Sequence, residues 1–263
     1  MQKSTIVFLL FGFVFLITAF LIEGGNILAL LAPTAAMIVF GGTIGAVGVS
    51  FPFEEIKHLP KALKIVFKLE KKNLEEYIDT FKKLSAKIRK EGVLSLDKEL
   101  DSIEDPFLKK GLRLIVDGVE QQTLRNILEL DSELTGTRHK TAIEILESAG
   151  GYSPTMGVVG TVMGLISVLS NLANPAELGK SIALAFVATL YGVAFANLVY
   201  LPLGAKLKAH NHIEQYERQF VMEGLFLLHE AATTMLIEEK LKSFLESKEQ
   251  MEFDKKKLEK PAA

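Results

Sequence analysis

The sequence predicts an all-α integral membrane protein with four transmembrane helices and a helical part outside the membrane. Two observations support this fold class: the apolar residues form four long uncharged runs, and almost all charged residues lie between and after those runs. The runs contain no Asp, Glu, Lys, Arg or His and cover residues 4–22, 24–53, 148–176 and 181–205. A helix needs about 20 residues to cross the roughly 30 Å hydrocarbon layer, so each run is long enough for one span.

The Lys and Arg residues predict the topology. Of 30 such residues, 18 lie in 51–151, ten lie in 206–263 and one is Lys3, whereas Lys180 alone lies between the third and fourth runs. By the positive-inside rule, both termini and the large loop are expected to be cytoplasmic. The large loop holds 18 Lys and Arg against 19 Asp and Glu, so it lacks the basic excess of a nucleic-acid surface and no nucleic-acid partner is expected.

The chain therefore divides into four predicted parts: spans 1 and 2 (1–50), a helical cytoplasmic domain (51–150), spans 3 and 4 (151–205) and a cytoplasmic C-terminal helix and tail (206–263). Apolar residues at spacings of three and four predict amphipathic helices in the loop. These stripes are Leu74, Tyr77, Ile78, Phe81, Leu84 and Ile88; Leu108, Leu112, Ile115, Val116 and Val119; and Leu124, Ile127 and Leu128. Asp105-Pro106 predicts a break between helices, and the residues from Glu246 onward are expected to be a solvated end.

Common enzyme and metal motifs are missing from the sequence. There is no Cys, and the Gly41-Gly42 segment lacks the Gly-Lys-Ser/Thr of a phosphate-binding loop. His210 and His212 are two residues apart, so they lie on different faces of a helix and do not form a chelating pair. We therefore expect neither catalytic activity nor a cofactor.

A face of small residues opens the third span. Gly157, Gly160, Thr161 and Gly164 recur at helical spacing and form one smooth stripe. Such a stripe serves either close helix packing or contact with a partner helix that turns against it. Of these two alternatives, we take the stripe to face a partner.

Polar and helix-bending residues within the last two spans are candidates for an ion path. The hydroxyls of Thr161 and Thr189 either bond back to carbonyls of their own helices or, with nearby backbone oxygens, bind a partly dehydrated cation. Phe186 lies three residues before Thr189 and is placed to exclude water. Pro154 and Pro202, near the membrane edges, act either as hinges or as simple helix ends.

These residues together resemble a known family, the MotA/PomA flagellar stator subunits within the MotA/TolQ/ExbB ion-channel superfamily. The resemblance covers nearly the whole chain. It is carried by IVFGGTIG at 38–45, SPTMGVVGTVMGL at 153–165, Asn174-Pro175, AFVATLYG at 185–192 and LIEEKLKSFL at 236–245.

The resemblance implies a homopentamer in the bacterial inner membrane, surrounding a dimer of MotB/PomB-like B subunits that each supply one ion-binding Asp. It also implies that ion passage turns the ring and that the cytoplasmic domains act on the rotor switch protein FliG. The transported ion is Na⁺ or H⁺, there is no cofactor, and membrane lipid surrounds the assembly. Spans without carboxylates agree with a partner that supplies the intramembrane acid.

The family pattern also assigns residues. Arg89, Gly92 and Asp97 fit its rotor-contact spacing, with Asp where Glu is common. On the pattern of charges alone, the alternative for this pair is a solvated helix face.

For the ion path, Thr155, Thr161 and Thr189 match family positions. Sodium-driven members carry Thr at the last two, so we expect a transient Na⁺ site there. Ala188, however, stands where sodium types often have a second Thr.

Two other classes of protein fit the sequence less well. A TolQ/ExbB-type energiser has three spans with its large loop after the first, whereas the large loop here follows the second of four. A membrane enzyme or solute transporter is expected to carry a catalytic or substrate-binding polar cluster within the spans, and the sequence shows no recognisable one.

Overall fold

A computed structural model describes residues 3–68, 72–170 and 175–259, and every regular element within these ranges is helical. Asn174 of the Asn-Pro motif lies outside the described residues. The N-terminal half contains α1 (Lys3–Ile22), α2 (Ile27–Leu30), α3 (Pro33–Ala36), a π segment (Met37–Gly41), α4 (Gly42–Ser50), α5 (Phe53–Lys68), α6 (Leu74–Glu91), a 3₁₀ segment (Val93–Ser102) and α7 (Pro106–Val116). The C-terminal half contains α8 (Gln121–Ser170), α9 (Pro175–Phe195), a second π segment (Ala196–Tyr200), α10 (Leu201–His229), α11 (Thr234–Lys242) and α12 (Ser247–Glu259).

Four helical stretches are long and apolar enough to cross a membrane, which confirms the predicted fold class. They are Ser4–Ile22, Ile27–Ser50, part of α8 and part of the α9–α10 stretch. None of the first stretch is buried within the chain, and only 22% to 28% of each of the other three is buried. The apolar surface that stays exposed fits a lipid environment or contact with other subunits.

The chain forms two compact units whose boundaries differ from the predicted parts. One contains residues 1–69 and 137–211, and the other contains residues 70–136 and 212–263. The first unit therefore includes residues from both ends of the predicted 51–150 domain. The physical reason is that α8 and α10 are continuous helices that run on beyond the uncharged spans.

The second unit has a hydrophobic core built from the predicted stripes. Leu74, Ile78, Phe81, Leu84 and Ile88 are buried along α6. They pack with buried residues of the other helices in this unit, among them Leu108, Leu112, Ile115, Leu124, Leu128, Phe220, Leu225 and Ile237. The spacing of apolar residues thus identified the buried face of these helices correctly.

The C-terminal end was predicted to be solvated, and most of its described side chains are exposed, but residues 247–259 form a helix instead of a frayed tail. These residues form α12, and Phe253 is buried in the core of the second unit. Ion pairs hold α12 in place, one between Lys242 and Asp254 at 2.6 Å and one between Lys256 and Glu75 at 2.7 Å. Apolar residues are sparse among the charges of this helix, so no periodic stripe marked it in the sequence.

Asp105 links two helices of the second unit through four hydrogen bonds. Its Oδ1 caps α7 by accepting the N–H groups of Phe107 (2.8 Å) and Leu108 (3.1 Å). Its Oδ2 accepts Lys72 Nζ at 2.5 Å and Tyr77 Oη at 2.7 Å. Burial raises the pKa of this carboxyl, but the hydrogen bonds from Lys72 and Tyr77 outweigh burial and hold the pKa below its ordinary value.

Asp105→Asn is therefore expected to lower the free energy of opening of α7 by about 1–3 kcal/mol near pH 7. The ionised carboxylate stabilises the fold above the ordinary Asp pKa of about 3.9, and this contribution is lost as the pH falls through the lower folded-state pKa. Hydrogen exchange of the α7 amides in the intact protein measures the effect. The matched control is Asp101→Asn, because the Asp101 side chain is 101% exposed and its ion pair with Lys109 spans 3.7 Å. Equal exchange in both variants would contradict the prediction.

Candidate ion site

The third and fourth spans meet along an antiparallel seam made by small residues. Facing positions pair in the order Ser153 with Gly192, Gly157 with Thr189, Gly160 with Ala188, Gly164 with Ala185 and Ser167 with Ser181. A Cβ atom added to Gly192 would lie 2.5 Å from the Ser153 carbonyl oxygen, and one added to Gly157 would lie 3.0 Å from Thr189 Cα. The glycines are thus required because two backbones approach closely.

This seam corrects the expectation that Gly157, Gly160 and Gly164 face a partner. All three are buried against the fourth span of the same chain. The periodic small-residue face was predicted correctly, and close helix packing, the other alternative, is what it serves. Helix periodicity identifies a face but not the helix that covers it.

Thr161 and Thr189 lie together at the centre of the seam. Their hydroxyl groups hydrogen-bond to each other. Thr161 Oγ1 also lies 3.1 Å from the Ala185 carbonyl oxygen and 3.2 Å from that of Gly157, and Thr189 Oγ1 lies 3.4 Å from the Gly157 oxygen. Four oxygen atoms, two from hydroxyls and two from carbonyls, therefore lie close together. The two hydroxyls have only two protons to donate among them.

Of the two earlier alternatives for Thr161, the return to its own helix occurs in this geometry, and cation binding stays a prediction. The bond to Gly157 is the expected return to its own helix, while the bonds to Ala185 and Thr189 cross to the neighbouring span. Neutral hydroxyl and carbonyl oxygens are ligands that hard cations accept. The charge of a bound cation would stay uncompensated by these neutral groups, because the uncharged runs supply no acid.

Two further residues predicted for the ion path are exposed within the chain. Phe186 is 69% exposed on the fourth span. Thr155 is also exposed, and its hydroxyl donates to the Tyr152 carbonyl oxygen at 2.7 Å. Their place in an ion path stays a prediction about the assembled protein.

Neither proline ends a helix. Pro154 lies inside the continuous α8, and Pro202 is the second residue of α10. The π segment before Pro202 is closed by a bond from the Leu201 N–H to the Ala196 carbonyl oxygen. Such wide turns accommodate local irregularity and often occur at functional positions. The hinge role predicted for both residues is compatible with this continuity.

The sequence analysis did not single out Ser153 and Tyr191. Ser153 is fully buried, and its hydroxyl donates to the Gly192 carbonyl oxygen at 3.0 Å. The Tyr191 hydroxyl donates to the Leu30 carbonyl oxygen and so connects the fourth span to the second. Ser153 continues the small-residue spacing one turn before Gly157, and that signal was sufficient to find it.

The predicted rotor-contact residues lie on the second unit. Arg89 is exposed in the last turn of α6, and Asp97 is exposed on the 3₁₀ segment after Gly92, whose φ of +81° turns the chain. The segment is anchored by the buried Leu96 and Leu100. Within the described part of the chain, no ion pair joins Arg89 to Asp97.

Comparison with known proteins places the chain in a family. Residues 99–220 match the model of the MotA/TolQ/ExbB proton channel family, and residues 6–92 match that of the motility protein A N-terminal region. Motility protein A of Bacillus subtilis is 36% identical, with 96% of this chain and 94% of the relative covered. Chemotaxis protein PomA of Vibrio alginolyticus is 31% identical, with 97% and 100% covered.

Solved structures of stator complexes are also similar to this chain. A chain of the flagellar MotAB stator complex from Bacillus subtilis superposes with a TM-score of 0.89 at 35% identity, covering 95% of this chain and 99% of that one. A chain of Campylobacter jejuni MotAB gives a TM-score of 0.87 at 31% identity, covering 94% and 97%. These matches confirm the resemblance drawn from the span motifs. The chain belongs to the motility protein A family, which comprises stator A subunits that act as ion-channel subunits rather than enzymes.

Proposed function

We propose that this chain is the A subunit of a flagellar stator that couples inward flow of a cation, sodium in preference to a proton, to torque on the rotor. The observation that carries the proposal is the oxygen cluster of Thr161 and Thr189, held by a glycine-packed seam within uncharged spans. Two hydroxyls and two carbonyls offer neutral oxygen ligands to a cation, whereas proton transfer requires a titrating group.

A partner with a carboxylate completes this site. The related solved structures are MotAB complexes, which pair the relative with a B subunit. A dimer of B subunits, each with one intramembrane Asp, supplies the negative charge that the spans lack, and five copies of this chain surround it. The exposed apolar faces of the spans provide the surface that such an assembly and its lipid shell require.

The placement of charge supports an inner-membrane protein with cytoplasmic termini. Twenty-nine of 30 Lys and Arg residues lie in the segments assigned to the cytoplasm. The second unit then lies where a cytoplasmic rotor can reach it. Its surface at Arg89 and Asp97 is proposed to contact the rotor switch protein FliG.

The test of the ion is motility as a function of sodium at fixed pH and fixed membrane voltage. We expect swimming speed to rise and saturate with sodium, because the oxygen cluster fills with the ion before each step. The matched measurement replaces sodium by potassium at equal ionic strength and is expected to leave the cells slow. A swimming speed that depends on pH and not on sodium would indicate that the proton is the transported ion.

Arg89→Glu is expected to reduce torque strongly while ion conduction through the stator is kept, because an exposed charge acts on partner recognition and Arg89 is not part of the threonine cluster. Torque is measured on tethered cells, and conduction on cells without a rotor. A compensating charge reversal in the rotor protein is expected to restore part of the torque. Lys83→Glu is the matched control, since Lys83 is exposed on α6 and lies outside the Arg89, Gly92 and Asp97 pattern. Unchanged torque in Arg89→Glu would leave Arg89 as a solvated residue.

A further inference from the structure

A groove lies between the start of the first span and the end of the fourth. The two helices are in contact near Gly12, where an added Cβ would lie 3.0 Å from Leu198 Cδ2, and between the rings of Phe13 and Phe195, 5.6 Å apart. Towards the ends of the helices they leave a cavity of about 320 Å³. Its walls include Thr5, Phe8, Leu9, Leu198, Leu203 and Lys206.

Lys206 gives this groove its charge. Its Nζ donates to Thr5 Oγ1, which uses one of three ammonium protons. Within the described residues, no carboxylate forms an ion pair with Lys206. Because Thr5 Oγ1 accepts this bond, the Thr5 hydroxyl proton remains available to a second acceptor. The mouth of the groove therefore presents two kinds of donor and one uncompensated positive charge.

The remaining walls are mostly apolar, with Ser4 and Asn197 as the two further polar residues. Phe8 is 72% exposed, and none of the first span is buried within the chain. Lys206 directly follows the uncharged run 181–205, and Thr5 is the second residue of the run 4–22, so both lie at one edge of the hydrocarbon layer. A cation at that edge beside apolar walls matches a ligand with an anionic head and a hydrocarbon body.

We propose that this groove binds an anionic phospholipid, with Lys206 paired to the phosphate and the Thr5 hydroxyl donating to the same group. One acyl chain lies along Phe8 and Leu198. A volume of about 320 Å³ holds only the head-proximal part of a lipid, and the rest extends along the exposed first span. The bound lipid joins the first and fourth spans beside the helix that begins at Leu201.

The experiment uses the intact stator complex in nanodiscs of phosphatidylglycerol and phosphatidylcholine, with retained lipid measured by native mass spectrometry. Wild type is expected to retain phosphatidylglycerol in preference to phosphatidylcholine. Lys206→Gln is expected to lower this preference about fivefold, since one basic residue near an anionic surface contributes about that factor. Lys208→Gln is the matched control, because Lys208 is exposed and does not line the groove.

Several outcomes would overturn the proposal. One is equal retention of both lipids by wild type, and another is an equal loss in Lys206→Gln and Lys208→Gln, which would indicate general surface charge. Displacement of the lipid by inorganic phosphate would indicate a site for a free anion. A photo-crosslinker at Phe8 that captures a neighbouring subunit in place of lipid would assign the groove to protein. If Lys206→Gln fails to assemble, Thr5→Val and Lys206→Arg test the proposal instead. Thr5→Val is expected to lose part of the preference for phosphatidylglycerol, and Lys206→Arg is expected to keep all of it.

Discussion

Thr189→Ala is expected to abolish ion-driven rotation while leaving the stator assembled. The substitution removes one hydroxyl from the oxygen cluster and leaves Thr161 with the carbonyls of Gly157 and Ala185. Loss of one polar partner in a partly buried site costs about 1–3 kcal/mol, which lowers ion affinity about 5- to 150-fold. The fold is retained because Ala still fits beside Gly157, where Thr already lies.

The measurement is swimming together with the amount of assembled complex in the membrane. Thr189→Ser keeps the hydroxyl and is expected to keep motility, while Thr189→Val keeps the shape without the hydroxyl and is expected to lose it. Comparison of these two variants separates the effect of the hydroxyl oxygen from the effect of side-chain volume. Normal swimming in Thr189→Ala would remove the residue from the ion path.

Gly192→Leu is expected to prevent assembly, and Gly192→Ala to destabilise the protein by about 1–3 kcal/mol. Any Cβ at this position meets the Ser153 carbonyl oxygen at 2.5 Å and Pro154 Cα at 3.1 Å, so the third and fourth spans must separate. Separation also breaks the 3.0 Å bond from Ser153 and pulls the two threonines apart. Conduction is therefore expected to fall even where Gly192→Ala protein reaches the membrane.

Thermal unfolding in detergent and the yield of complex measure this effect. Gly45→Ala is the matched control, since Gly45 is also a glycine within a span and nothing lies within 4 Å of an added Cβ. A wild-type melting temperature and yield for Gly192→Ala would show that the seam tolerates a methyl group. That result would contradict the close approach on which the geometry of the site depends.

Part of the site could be predicted from local pattern. The spacing of Gly157, Gly160 and Gly164 indicated a smooth face, and the two threonines were identified before their contact was known. The same spacing extends to Ser153, although it did not indicate the hydrogen bond from Ser153 to the Gly192 carbonyl oxygen. Tyr191 was missed because it acts through a hydrogen bond to a distant carbonyl, that of Leu30. Such a bond depends on which helices are neighbours, and no spacing within one helix reports that.

In the second unit, too, some features could be predicted from the sequence and others could not. The α6 stripe predicted a buried face correctly because apolar burial follows helix periodicity. Helix α12 was predicted only as a solvated end, and most of its described side chains are exposed, yet Phe253 and ion pairs to two other helices hold it in place. Its composition is too polar for the pattern to reveal a helix that packs through one aromatic ring.

By itself the sequence determined the four spans, the lack of an acid within them, and the residues that mark the family. These properties follow from hydrophobicity and charge, which each residue carries irrespective of its neighbours. Only the tertiary structure decided that the small-residue face packs on the chain's own fourth span and that Thr161 meets Thr189. The reason is that contact between residues far apart in sequence depends on how close two backbones can come, and here glycine, serine and alanine at facing positions set that distance.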